Sequence, residues 1–363
     1  MPSYPVANID LTALQYNLQR VKQLAPQSRV MSVIKANAYG HGLVQVAQAI
    51  PGSDAFAVAR LSEALRLREA GIQQPIVLLE GVSSEDELQT AAEKSLSIVF
   101  HHLSQLELLT KAPLSQPLAF CWLMVDTGMQ RLGIDAAHVD QALQGLSQSE
   151  NIIGPVGLMS HFANADLVND SRNQQQLNKI LICAKNDNAV AISMANSAAI
   201  LSFSGSHGDW VRPGLMLYGV SPFEGQSARN LDLKPVMTLT SRLISIQQVK
   251  AGEQVGYGGD WVAQREVCVG IVSIGYGDGY SRQLSNVGSV MINNKTASVL
   301  GRVSMDMIAV DLSDINTVSI GSEVILWGNE SLAVEDVAKQ AKTIPYELLC
   351  QISERVKREY QRG

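Results

Sequence analysis

Val30-Met31-Ser32-Val33-Ile34-Lys35-Ala36 is an apolar run that closes on a lysine, and it is the first of a series. Working outward, Ala55–Ala59, Ile76–Leu79, Ser97–Phe100, Leu118–Val125, Val156–Ser160, Ala189–Met194 and Leu215–Tyr218 read as further buried strands. Helical spacing fills the gaps, as in Ser62–Ala70, Ser84–Lys94, His138–Leu146 and Ser171–Asn186. Ser62 beside Glu63, and Ser84 before Glu85, Asp86 and Glu87, read as helix starts, because carboxylates suit the positive end of the helix dipole. Strands separated by helices pair in parallel through right-handed crossovers. A count near eight predicts an α/β fold with a closed (β/α)8 TIM-type barrel rather than an open sheet.

After about residue 228 the texture changes. Val236–Val249, Val267–Ile274, Ser289–Ile292 and Glu323–Leu326 are rich in Val, Ile, Thr and Gly, with Asn293-Asn294 as a turn. This predicts a β-rich second domain, finished by helices over Val334–Lys342 and Glu347–Glu359.

Composition excludes several classes of function. The 363 residues suit two domains, and 46% hydrophobic against 17% charged residues fits a folded chain. Twenty-eight Lys and Arg against 34 Asp and Glu give a formal charge of −6, with no strongly basic segment, which argues against nucleic acid as a partner. The longest apolar run, Leu118–Val125, is far below the roughly 18 residues of a membrane span, so no membrane association is expected. MPSYPVANIDLTALQYNLQR carries no charged-then-apolar leader, and a cytoplasmic location is the expectation. Cys121, Cys183, Cys268 and Cys350 are dispersed and away from histidines, so they read as reduced thiols, and no metal site is expected.

Chemistry-bearing side chains recur just after the strands: Lys35 after VMSVI, Asp126 and Arg131 after LAFCWLMV, His161 after GPVGLMS, and Asn196 and Ser197 after AVAISMA. The carboxyl ends of barrel strands form the catalytic face of such folds. A lysine at that rim loses hydration, which lowers its pKa and makes it a usable base or nucleophile. By position alone, the plainer reading of Lys35 is a lysine snorkelling at a strand end. Likewise Tyr257 alone reads as a loop tyrosine, Arg212 as a surface Arg-Pro turn and His161 as a structural histidine.

The flanking motifs change that reading. VIKANAYGHG (Val33–Gly42), VDTGMQRLG (Val125–Gly133), LMSHFANAD (Leu158–Asp166), MANSAA (Met194–Ala199) and VRPGLMLYG (Val211–Gly219) lie in the first part. VGYGGDW (Val255–Trp261), IGYGDGYSR (Ile274–Arg282), GRVSMDM (Gly301–Met307) and IPYE (Ile344–Glu347) lie in the second. In this order they resemble the alanine racemase family over essentially the whole chain.

The resemblance implies an isomerase dependent on pyridoxal 5'-phosphate (PLP) that interconverts L- and D-alanine. D-alanine would feed peptidoglycan synthesis, or the reverse flux would feed alanine catabolism. It implies a PLP-binding barrel domain over residues 1–228, whose first few residues are candidates to pack with the second domain, and a β-rich domain over 229–363. It also implies a homodimer with shared active sites. Lys35 would hold PLP covalently and act as one catalytic base, and Tyr257 from the partner subunit would be the other. Racemisation needs acid/base groups on opposite faces of Cα, and lysine and tyrosine have similar free pKa values of about 10.4 and 10. Arg212 would meet the pyridine nitrogen, oriented from behind by His161. Tyr39, Ser197, Gly214, Leu215 and Tyr346 would cradle the phosphate. Arg131 and Met305 would hold the substrate carboxylate, with Arg131 also touching the PLP phenolate oxygen, and Tyr276 would gate the entrance.

One departure stands out. Many family members carry, at the position of Met124, a lysine that is carboxylated and holds the substrate arginine. Methionine makes no such bond, which leaves Arg131 held by another acceptor, with Asp126 a candidate, or more mobile. Ser304 is a second variable neighbour. Three other readings remain: a racemase of broader scope acting on serine, lysine or arginine; a PLP decarboxylase of basic amino acids with the same two-domain plan; and a single-domain PLP carrier. The compact set of Tyr346, Tyr276 and Met305 disfavours the first. Divergent motifs disfavour the second, and the residues after 228 disfavour the third.

Overall fold

The structure is a computed structural model that describes residues 4–185 and 191–362. Eight parallel strands form a closed ring: Arg29–Val33, Ala55–Val58, Ile76–Leu78, Ser97–Phe100, Cys121–Asp126, Val156–Met159, Ile192–Ser193 and Trp210–Val211. The last strand closes on the first through Trp210 opposite Arg29 and Val211 opposite Val30. These strands are short and buried on both faces, so they carry near-continuous Val, Ile, Leu and Ala rather than an alternating pattern. Helices alternate with them, among them Leu61–Glu69, Glu85–Glu93, Val139–Ser147 and Ser171–Ala184. Ser84 caps its helix by accepting from the Glu87 N–H at 3.2 Å. The helix expected at Ser62 instead starts at Leu61, with Arg60 at the cap position and Glu63 bonding back to the Arg60 N–H.

Several expected elements differ. Leu215–Tyr218 is a buried 3-10 turn, and the eighth strand is the two-residue Trp210–Val211 just before it. The first strand ends at Val33, short of Ala36. Leu118 makes an isolated bridge to Ile152, and its strand begins at Cys121. Ala189, Val190 and Asn186 lie outside the described residues. The final helix Glu347–Glu359 is in fact a helix over Pro345–Cys350 followed by a strand, Lys357–Gln361.

The second sheet has eight strands in the order Val267–Val272, Ile308–Asp311, Lys295–Leu300, Ser289–Ile292, Glu323–Trp327, Met237–Val249, Val6–Asp10 and Lys357–Gln361. Met237–Val249 is long enough to pair also with Val267–Val272, which closes six of these strands into a ring. Asn293 and Asn294 take φ of 50° and 61° in the hairpin turn between Ser289–Ile292 and Lys295–Leu300, the left-handed geometry such two-residue turns need. Val6–Asp10 and Lys357–Gln361, from opposite ends of the chain, lie parallel at the edge of this sheet. One hydrophobic core runs through both parts, from Ala7 to Val356. The C-terminal segment is thereby anchored beside the barrel mouth, against the turn that follows the first barrel strand.

Candidate active site

Lys35 opens a turn with an unusual backbone. Ala36, Asn37, Ala38 and Tyr39 hold φ of 54°, 54°, 53° and 51°, a left-handed turn of four non-glycine residues. Such a conformation costs about 1–2 kcal/mol per L-residue, so surrounding contacts must impose it. Those contacts are visible. Glu63 Oε1 accepts the Ala36 N–H at 2.7 Å, and Asn37 Oδ1 accepts the Leu43 N–H at 3.0 Å. Arg358, from the C-terminal strand, donates to the Gly40 carbonyl at 2.6 Å. Gly40 takes φ of 80°, and a Cβ there would collide with the Leu349 carbonyl oxygen of the Pro345–Cys350 helix. The half-buried Lys35 ammonium is held below its ordinary pKa, chiefly by burial and then by the Arg131 cation, against an opposing pull from Glu80 and Glu63.

At the turn, the five expected cradle residues converge. Ser197 begins a helix capped by Asn196, whose side chain accepts from the Ala199 N–H at 3.1 Å. Ser197 Oγ accepts from the Gly214 N–H at 3.0 Å and the Met216 N–H at 3.2 Å. Gly214 lies against Tyr39 so closely that a Cβ on it would sit 2.6 Å from the Tyr39 hydroxyl. The Tyr39 ring stacks on Tyr218 at 4.7 Å and leans on Tyr346 at 5.9 Å, and Leu215 is buried next to Gly214. Burial raises the Tyr39 phenol well above its ordinary value. The Tyr346 phenol, with 37% of the residue exposed, is still pushed up to about 12 by burial and then by the Asp166 carboxylate. Both hydroxyls therefore stay protonated at neutral pH and can donate to an anion.

A buried arginine forms the floor. Arg212 is 4% exposed and no carboxylate reaches it among the described residues. It donates to Ser193 Oγ at 2.7 Å, to the Ser160 and Met194 carbonyls, and lies 3.3 Å from His161 Nδ1. Burial lowers its pKa to about 10, so it remains charged at neutrality. His161 is pushed down to about 3 by burial first and then by Arg212, Arg131 and Lys35. It is neutral, and Nδ1 accepts from the guanidinium. Three cations, Lys35, Arg131 and Arg212, gather around His161 at the barrel mouth, and Arg212 is held by neutral partners, which makes a pocket suited to an anion.

The second part of the chain holds a separate set. Tyr257, Tyr276 and Met305 are 69%, 44% and 51% exposed. Tyr276 and Met305 stand side by side: the Tyr276 N–H donates to the Ser304 carbonyl at 3.0 Å, and the Gly277 N–H donates to the Met305 carbonyl at 2.9 Å. Arg355 ties both loops together, bonding Asp306 at 2.6 Å and pairing with Asp278 at 3.3 Å. Tyr257 opens a short turn packed on Arg302, which pairs with Asp260. Among the described residues no hydrogen bond or ion pair joins Tyr257, Tyr276 or Met305 to Lys35 or Arg131 of the same chain.

Comparison with known proteins fits this geometry. Residues 9–222 match the model of the alanine racemase N-terminal domain, and residues 236–360 that of the alanine racemase C-terminal domain. Curated alanine racemases of Nitrosococcus oceani and Vibrio cholerae are each 46% identical, covering 98% of this chain and 99% and 97% of their own. The chain belongs to the alanine racemase family. It is thus an amino-acid racemase built on a TIM-type barrel. The solved biosynthetic alanine racemase of Pseudomonas aeruginosa superposes with a TM-score of 0.94 at 42% identity, over 98% of this chain and 99% of that one. That of Acinetobacter baumannii gives 0.92 at 44%, over 99% and 100%.

In this racemase Arg131 is exposed and makes no hydrogen bond or ion pair among the described residues. Asp126 does not pair with it among the described residues; its Oδ1 accepts the N–H groups of Gly128 at 2.8 Å and Gln130 at 3.1 Å. Met124 is buried on the strand before it. Among the described residues no three His, Cys, Asp or Glu side chains gather as metal ligands, and no helix is long and apolar enough to cross a membrane. The sequence reading passed over Glu63, Ser193, Tyr218 and His41. Glu63 alone had a local signal, as the third residue of a helix whose carboxylate turns back on the chain.

Proposed function

We propose that this racemase interconverts L- and D-alanine, with PLP held at the barrel mouth and two bases supplied by Lys35 and by the partner subunit's Tyr257. The observation that carries this reading is the convergence of Lys35, Tyr39, Ser197, Gly214 and Arg212 on one cationic pocket.

The residues present fit that group. Gly214, lacking a Cβ, lets its backbone lie close against the Tyr39 hydroxyl, which a Cβ would meet at 2.6 Å. Around it stand hydroxyls and backbone N–H groups that suit a phosphate. Tyr39, Ser197, Gly214, Leu215 and Tyr346 would hold the phosphate, Lys35 the aldehyde carbon, and Arg212 the pyridine nitrogen, with His161 orienting Arg212. PLP, when bound, supplies the electron withdrawal that acidifies the substrate Cα. Arg212, charged at neutrality, offers a hydrogen bond without giving up a proton, which moderates that withdrawal.

The protein's own groups do the rest. Burial and Arg131 bring the Lys35 amine toward neutrality, so it can take the α-proton from one face and return it in the reverse direction. The phenol of the partner subunit's Tyr257 serves the other face. The exposure of Tyr257, Tyr276 and Met305 on the second part of the chain suits delivery to another copy's site. Arg131 and the Met305 amide would grip the substrate carboxylate, and Tyr276 would narrow the entrance. D-alanine for peptidoglycan precursors, or alanine catabolism by reverse flux, would be the physiological use in the cytoplasm.

The test is a chiral assay of the PLP-loaded enzyme over a panel of amino acids. Racemisation of alanine well above serine, lysine and arginine is expected. Comparable turnover of several would replace the alanine reading with a broader one. Release of carbon dioxide from lysine or ornithine, without racemisation, would overturn both.

A further inference from the structure

We propose that His41 is a positioning residue for the reaction: by hydrogen-bonding the carbonyls of Ala38 and Tyr39 it locks the left-handed turn that presents Lys35 and the Tyr39 hydroxyl. The consequence for the cofactor rests on the functional reading above, while the lock itself does not.

His41 is wholly buried, and its Nε2 has no hydrogen-bond partner among the described residues. Burying an imidazole with one nitrogen unsatisfied is unfavourable, and a leucine or phenylalanine would fill the space without that cost. The polar use of the ring lies at Nδ1, 2.9 Å from the Tyr39 carbonyl oxygen and 3.1 Å from that of Ala38. Both partners are acceptors, so Nδ1 carries the proton and donates. Burial keeps the ring neutral, with a pKa near 4, against two carbonyl contacts that favour the charged form. The tautomer is therefore fixed by the turn, and the turn by the tautomer.

The two carbonyls belong to the last two non-glycine residues of the left-handed stretch. A return to right-handed backbone would withdraw them from Nδ1. The ring also connects the lock to the site. His41 packs on Tyr218 at 4.5 Å, and Tyr218 stacks on Tyr39 at 4.7 Å. The Tyr218 hydroxyl donates to the Val33 carbonyl at 3.1 Å, on the strand that leads into Lys35. The charged group facing His41 from another element is Arg358, whose Nε holds the neighbouring Gly40 carbonyl. Lys35 and Tyr39 thus leave the turn from its two ends, and one imidazole holds the end that carries Tyr39.

Two substitutions separate the donor from the ring. His41→Asn keeps an N–H near the Nδ1 position and removes the ring, whereas His41→Phe keeps a ring on Tyr218 and removes the donor. The full-length variants are compared with wild type in three ways: amide hydrogen exchange of residues 36–42 relative to the barrel strand Ser97–Phe100, the PLP dissociation constant, and kcat and KM for alanine at saturating PLP. For His41→Phe, exchange in the turn is expected to quicken and PLP affinity to fall, each by about tenfold or more, with kcat dropping and KM nearly unchanged. His41→Asn is expected to stay within about threefold of wild type in all three. Wild-type exchange in His41→Phe overturns the lock, as does a folded His41→Asn that loses as much as His41→Phe, since ring volume alone would then explain both. If His41→Phe does not fold, His41→Asn decides alone: retention supports the lock and a tenfold loss overturns it. Failure of the wild-type chain to bind PLP would sink the functional reading instead, and the exchange arm would still test the lock.

Discussion

Gly214→Ala probes the proposed cofactor cradle at a tight contact. The new Cβ would lie 2.6 Å from the Tyr39 hydroxyl oxygen and 3.3 Å from Cζ, where ordinary contact begins near 3.4 Å. The phenol must therefore retreat by about 0.8 Å at its oxygen. It has little room to do so, because the ring is 7% exposed, stacked on Tyr218 and flanked by Tyr346. Overpacking of this kind costs about 1–3 kcal/mol. Charged against the cofactor-loaded state, that is a rise in the PLP dissociation constant of roughly 5- to 150-fold. PLP titration followed by absorbance or fluorescence reads the constant directly. KM for alanine at saturating PLP should change far less, because the proposed carboxylate grip, Arg131 and the Met305 amide, does not involve Gly214. A wild-type PLP constant in Gly214→Ala would show that the Tyr39 hydroxyl and the Gly214 amide do not form the cradle.

Lys35→Ala should abolish the adduct that borohydride traps between PLP and wild-type protein; a surviving adduct, found by mass spectrometry, would reject the assignment of Lys35. Stability should fall on acidification below about pH 6.5, because His41 and His161 bind protons in the unfolded chain at 6.5 but in the folded chain only near 4 and 3. The unfolded state then binds more protons as pH drops, at about 1.4 kcal/mol per unit for each histidine, and His41→Asn should remove about half of that slope in urea titrations at pH 6.5 to 4.5; an unchanged slope would contradict a neutral, buried His41. Met124→Lys, assayed with bicarbonate to permit carboxylation, should lower KM for alanine several-fold by giving Arg131 a partner. Unchanged kinetics would mean that Arg131 needs none.

Much of the barrel was legible because buried parallel strands announce themselves as apolar runs ending in polar rim residues. The eighth strand was misread for a physical reason. Leu215–Tyr218 is as apolar as a strand, but it follows Pro213 and Gly214 and is buried as a 3-10 turn, while the real strand is only Trp210–Val211. Four apolar residues do not distinguish these cases. The edge strand Lys357–Gln361 reads KREYQ, with no alternation to mark it; its partner Val6–Asp10 lies at the other end of the chain, which no local pattern reveals. At the site, the motifs pointed to Lys35, Arg212, Ser197 and Gly214, and the fold brings these to one end of the barrel. The left-handed turn was hidden, since Ala36, Asn37, Ala38 and Tyr39 include no glycine and two of the groups that hold it, Glu63 and Arg358, lie far away in sequence. Of the alternatives for Arg131, the candidate Asp126 does not pair with it among the described residues; Asp126 Oδ1 serves its own loop instead.

The sharing of one site by two chains can be measured directly by mixing Lys35→Ala and Tyr257→Phe chains, each inactive or nearly so alone, under conditions that exchange subunits. If Lys35 faces the Tyr257 of a second copy, each hybrid dimer regains one intact site, and activity should rise to about a quarter of the wild-type level at random assortment. No activity above the two parents, with hybrid formation demonstrated, would contradict the account.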